Sequence, residues 1–88
     1  MNEIKLEEIK SSKPFSVRRT KRSDGYIIST IEPPSDLAWY GRYETALIKS
    51  QNDIRIIEGY STRKEAIKGH EKYCNMTTKE LEALEFIG

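Results

Sequence analysis

Tyr60-Ser61-Thr62-Arg63-Lys64-Glu65-Ala66-Ile67-Lys68-Gly69-His70-Glu71-Lys72-Tyr73-Cys74 is the stretch from which the rest of the chain can be placed. Thr62 followed three residues later by Glu65 has the form of a capping box, the threonine hydroxyl accepting from the Glu65 amide and the carboxylate reaching back to the Thr62 amide. A helix therefore begins at Thr62. Ala66, Ile67, His70, Tyr73 and Cys74 fall on one face of it at helical spacing, while Arg63, Lys64, Lys68, Glu71 and Lys72 point mostly elsewhere. That face has to pack on something, and it carries a histidine. Gly69 inside the helix costs about 1 kcal/mol relative to alanine, which predicts close packing against another backbone beside His70.

Upstream of the helix the chain reads as strands. Phe15 to Thr20 alternates, with Phe15 and Val17 on one face and Ser16 and Arg18 on the other. Ser23-Asp24-Gly25 is a hairpin signal, because Asp-Gly tolerates positive φ at both turn positions. The returning strand, Tyr26 to Glu32, puts Ile28 on one face and Ile27 with Ile31 on the other, as expected of a central strand. Pro33-Pro34 ends it and opens a loop through Ser35, Asp36, Leu37 and Ala38 to Trp39-Tyr40-Gly41-Arg42. Tyr43 to Ser50 alternates again, Tyr43, Thr45 and Leu47 against Glu44, Ala46 and Ile48. Gln51-Asn52-Asp53 turns the chain into a strand over Ile54 to Tyr60, a second hairpin that feeds the helix. Beyond Asn75, Thr77 and Glu80 form another possible capping box, with Leu81, Leu84 and Ile87 as a short apolar stripe. The expected architecture is α+β: two antiparallel β-hairpins in a small sheet, one main helix packed on it, and a short C-terminal helix.

At 88 residues this is one small domain, in which 1–14 is a segment of uncertain structure, a short helix or an edge strand broken at Ser11-Ser12-Lys13-Pro14, 15–60 holds the hairpins, and 61–88 is helical. Apolar residues make up 36% and charged residues 33%, yet eight aromatics and a spread of isoleucines are too many for a disordered chain. A core this small gains from association, so a homo-oligomer is expected. A net charge of +1 gives no global attraction to nucleic acid or anionic membrane. One cysteine cannot form an internal disulfide, no Cys/His spacing offers a metal site, and no run approaches membrane-spanning length. The N-terminus reads as neither a signal nor a transit peptide. A cytoplasmic protein without metal or cofactor fits these features.

No reaction is legible in the chemistry-bearing residues. His70 and Cys74 share a helix face, but four-residue spacing is also that of two core positions, and a glycine-rich phosphate loop and a second zinc-protease histidine are both missing. The expectation is no enzyme. His70 has three readings: a core histidine with satisfied nitrogens, a pocket residue that binds a ligand, or a pH- or metal-responsive group. Trp39, Tyr40 and Tyr43 with Arg42 between them form the densest aromatic and guanidinium cluster, suited to stacking on a base, plugging a core or anchoring an interface. The ligand-binding candidates are therefore Trp39, Arg42, Tyr43 and His70. Lys10 to Arg22 contains six basic residues and no acid, and Arg18, Arg19, Lys21 and Arg22 on the first hairpin are the alternative, a nucleic-acid site.

Trp39, Arg42-Tyr43-Glu44-Thr45-Ala46-Leu47-Ile48, a short turn and strand, then Gly59-Tyr60-Ser61-Thr62 leading to Glu65-Ala66-Ile67-Lys68-Gly69-His70 together resemble small proteins encoded by bacteriophages and prophages. In those a Glu-Thr-Met-hydrophobic strand and a Tyr-x-Thr-x-x-x-Ala-x-x-Gly-His helix recur. Here Ala46 stands in place of the methionine, and the Ser50 to Asp53 turn is shorter. The resemblance covers Trp39 to Tyr73. It implies an accessory factor acting in the bacterial host cell, including the class that inhibits antiviral defence, either by sequestering a nucleotide-derived small molecule or by binding a host protein.

Overall fold

The computed structural model describes residues 4–10 and 15–88, so the Ser11 to Pro14 break lies outside the described residues. Five strands run β1 Leu6–Glu8, β2 Ser16–Arg22, β3 Ile27–Ile31, β4 Tyr43–Ser50 and β5 Asp53–Tyr60, followed by helices α1 Arg63–Cys74 and α2 Thr78–Glu82. The sheet is an antiparallel meander in chain order. The α+β architecture read from the sequence is the one observed, with one strand more than the two hairpins: Leu6–Glu8 adds an edge strand whose Leu6 pairs with Arg22.

The first hairpin turns differently from the expectation. Gly25 alone takes a positive φ, at 92°, and Asp24 does not. The Arg22 amide donates to the Tyr26 carbonyl across Ser23-Asp24-Gly25, a three-residue loop with glycine at the left-handed position. Asp24 is thereby freed to use its side chain.

Helix α1 lies across β2 to β5. The strand alternation decides what it meets: Thr20, Ile28, Thr30, Thr45 and Leu47 lie beneath it, and Tyr43, Ile57, Tyr60, Ala66, Tyr73, Cys74 and Leu81 are buried with them. Thr62 caps α1 by accepting from the Glu65 amide, but the Glu65 carboxylate takes the Thr62 hydroxyl rather than its amide, so only half of the expected box forms. The second box, Thr77 with Glu80, is complete. The close approach at Gly69 is made by a side chain and not by a backbone: the Tyr60 phenol lies where a Cβ would stand. After α2, the Ile87 amide donates to the Ile56 carbonyl and the Ile56 amide to the Gly88 carbonyl, so the tail covers part of the outer edge of β5.

Candidate functional site

His70 is 1% exposed and sits at the centre of a polar chain that crosses the sheet beneath α1. Its Nε2 lies 2.8 Å from Thr20 Oγ1 and its Nδ1 2.7 Å from Thr30 Oγ1. Thr30 Oγ1 is 2.6 Å from Thr45 Oγ1, and Tyr60 Oη donates to Thr45 Oγ1 over 3.1 Å. Tyr60 donates into the chain at Thr45, and one consistent direction passes the Thr45 proton on to Thr30. Thr30 then donates to Nδ1, which leaves the imidazole proton on Nε2, pointing at Thr20. In that direction each hydroxyl in the middle of the chain donates once and accepts once around a neutral imidazole. A second ring proton would require the Thr30 hydroxyl to turn its own proton away from Nδ1. Burial, with a smaller contribution from the Arg18 charge, pulls the His70 pKa down to about 4, in the same sense.

Cys74, one turn after His70, is buried as well, and burial raises its thiol pKa against a smaller lowering effect of the Thr20 hydrogen bond. A protonated thiol beside a neutral, doubly bonded imidazole has no activated nucleophile. Among the described residues no group of His, Cys, Asp and Glu gathers to hold a metal ion.

The four ligand-binding candidates divide between two places. His70 and Tyr43 belong to the interior; Tyr43 packs with Tyr60, Ala66 and Val17. Trp39 and Arg42 stand on the β3–β4 connection, with Trp39 75%, Leu37 54% and Tyr40 39% exposed. Arg42 binds Glu32 through Nε at 3.0 Å, and its guanidinium lies 5.6 Å from the Tyr43 ring centre. The loop is nevertheless clamped to the sheet. Gly41, at φ 137°, brings its α-carbon so close that a Cβ there would stand 2.8 Å from the Tyr60 carbonyl oxygen, and a Cβ on Gly59 would strike the Tyr40 carbonyl. The Trp39 indole N–H donates to the Asp36 carbonyl at 3.3 Å, across the 3₁₀ turn Ser35–Leu37. Beside this loop, Phe15, Glu32, Pro33, Ser35, Ala38 and Arg42 surround an open groove of about 560 Å³.

The basic hairpin residues also fall into different environments. Arg18 faces α1 and bridges Glu8 at 3.1 Å and Glu71 at 3.6 Å. Arg19 points to the opposite face, and Lys21 is exposed. Arg22, 1% exposed, is bound on all sides. Its Nη1 donates to the carbonyls of Tyr73 and Cys74 at 3.2 and 3.0 Å and to that of Met76, and its Nη2 meets Asp24 at 2.6 Å. It closes the C-terminal end of α1, where carbonyls lack amide partners and positive charge is favoured. Asp24 also accepts from the Thr78 hydroxyl and the Tyr26 amide; burial alone would raise its pKa, and these bonds with Arg22 outweigh that and lower it.

Sequence reasoning singled out His70 but missed Thr20, Thr30, Thr45 and Tyr60 as its partners. The available signal was three inward-facing threonines on three neighbouring strands, at positions where a core of this kind otherwise takes Val or Ile. It also missed Asp24 as the partner of Arg22, two residues away across a tight turn.

Among the described residues, no helix is long and apolar enough to cross a membrane. Comparison of the chain with protein-family models, with curated proteins and with solved structures gave no match.

Proposed function

We propose that this chain is a non-catalytic accessory binding protein of bacteriophage origin, acting in the bacterial cytoplasm, that docks on a host protein through the β3–β4 connection. The observation that carries this reading is Trp39: a tryptophan 75% exposed, beside Leu37 at 54%, on a loop held in place by Gly41 and Gly59. A large apolar side chain held out to solvent on a rigid support loses little entropy on burial, which is the usual character of an interface anchor. Among the described residues, the buried side-chain polar atoms of the interior are occupied by one another, both ring nitrogens of His70 included.

The test is photo-crosslinking from position 39 in the infected or lysogenic host, followed by purification of the captured protein and titration with wild type and Trp39→Ala. Binding that weakens at least tenfold in Trp39→Ala, with folding stability changed by less than about 0.5 kcal/mol, supports the loop as the anchor. Equal affinity of the two proteins for the purified partner rejects it.

A second reading, sequestration of a nucleotide-like small molecule, is favoured by one observation, the coincidence of Phe15, Pro33, Ser35 and Arg42 around the groove of about 560 Å³. It ranks second because Glu32 already neutralises Arg42 and His70 lies in the interior. Native mass spectrometry of gently purified protein, before and after denaturation, separates the two: a released small-molecule mass supports sequestration.

A further inference from the structure

The face of the sheet turned away from α1 is covered by no helix or strand among the described residues. An antiparallel sheet with one solvated face normally alternates to polar residues on that side. Here Ile31, Ala46, Ile48, Ile54 and Ile56 line a shallow groove of about 350 Å³. Ile54 is 55% exposed, and Ser29 and Ala46, paired side by side at the centre, keep the floor flat.

Two opposite charges stand in this apolar face. Glu44 is 8% exposed although no helix or strand among the described residues covers it, and burial raises the pKa of its carboxyl. Arg19 is half-buried on the same face. Neither has an ion-pair partner among the described residues. Arg19 pairs in register with Ser29, Ser29 with Ala46, and Glu44 with Ile31, so the two charges are separated by β3 and by two positions along the strands. Strand spacing and rise put their Cα atoms roughly 12 Å apart, and the two side chains are not ion-paired within one copy. A two-fold axis lying in the plane of the face, between β2 and β4, exchanges their positions and sets each over the other.

We infer that the uncovered sheet face is a self-association surface, on which two copies of this chain pack sheet to sheet about a two-fold axis, Arg19 of each paired with Glu44 of the other. Among apolar occupants only a second copy brings the matching charges; a lipid or a purely apolar partner would bury both without compensation. The inference goes beyond the loop reading and does not depend on it.

The test measures mass against concentration by light scattering, for wild type, Arg19→Glu, Glu44→Arg and Ile54→Lys, with circular dichroism to confirm the fold of each. Wild type is expected at twice the 10.2 kDa chain mass, and Arg19→Glu and Ile54→Lys are expected to weaken association at least tenfold. An equimolar mixture of Arg19→Glu with Glu44→Arg places opposite charges at both contacts and is expected to recover the dimer, which a merely structural role for either residue would not produce. If Glu44→Arg does not fold, Ile54→Lys and Arg19→Glu decide alone. A wild type that stays monomeric at 100 μM overturns the proposal, as does a dimer that neither Ile54→Lys nor Arg19→Glu weakens.

Discussion

Acidification from pH 7 to pH 5 should destabilise the fold chiefly through His70, by an amount the buried polar chain sets. The imidazole is the one histidine in the sequence, and its pKa falls from 6.5 to about 4 on folding. Between those values the unfolded chain binds a proton that the native protein refuses, so each step down in pH favours unfolding. The stabilisation is complete above pH 6.5 and is lost as pH falls toward 4. A difference of this size is worth about 2 kcal/mol between pH 7 and pH 5, and about 3 kcal/mol by pH 4. For a domain of 88 residues, whose total stability is of the order of 4–13 kcal/mol, that is a large share. Of the other shifted carboxyls, Asp24 and Glu80, with pKa values lowered from 3.8 and 4.5, act mainly below pH 5, and Glu44, with its pKa raised, stabilises the fold as pH falls. The assay is urea denaturation at pH 7, 6 and 5 followed by far-UV circular dichroism, since the exposed Trp39 is a poor reporter of unfolding. In parallel, NMR of the labelled imidazole follows a single ring, whose proton should rest on Nε2 at neutral pH. An imidazole that titrates near 6.5 in the folded protein, or a free energy flat between pH 7 and pH 5, would refute the neutral, chain-bound histidine.

Three further outcomes follow from the packing. Arg22→Met leaves Asp24 half-covered without its cation and strips a donor from the last carbonyls of α1, and should cost about 3–5 kcal/mol in urea unfolding; a loss under 1 kcal/mol would mean that water replaces the guanidinium freely. Gly69→Ala should gain about 1 kcal/mol from helix propensity, yet the Tyr60 phenol occupies the Cβ position, so thermal melting should show a net loss of about 1–3 kcal/mol rather than a gain. Cys74, the sole thiol, buried and with its pKa raised, should resist a thiol-reactive disulfide reagent at neutral pH and react at once in denaturant; rapid labelling of the native protein would place it at the surface.

Much of the fold was legible because it rests on local periodicity. The 3.6-residue pattern from Thr62 to Cys74, the alternation from Tyr43 to Ser50 and the proline pair at 33–34 each act within a few residues, and the elements end close to where those signals stop. Leu6–Glu8 is not legible in the sequence because a three-residue edge strand is made by its neighbour and has no period of its own. The Thr62 and Asp24 turns were recognised, but their details were not: whether Glu65 meets an amide or a hydroxyl, and whether one or two residues take positive φ, depends on a few degrees of backbone.

The candidate site was legible only as residue types. The sequence by itself determined that a histidine would lie on the inner face of a capped helix, that aromatics and Arg42 would share a loop, and that four basic residues would crowd one hairpin. Tertiary structure alone decided what they do. The partners of His70 come from positions 20 and 30, 50 and 40 residues away, with Thr45 bonded behind Thr30, and only the register of three strands under one helix brings this chain together. The same register buries Arg22 under the end of α1 while it turns Arg19 to the opposite face. Strand alternation assigns each side chain to one of two faces, but which face receives the helix is decided by long-range packing, and with it which charges are buried and which are left to meet a partner.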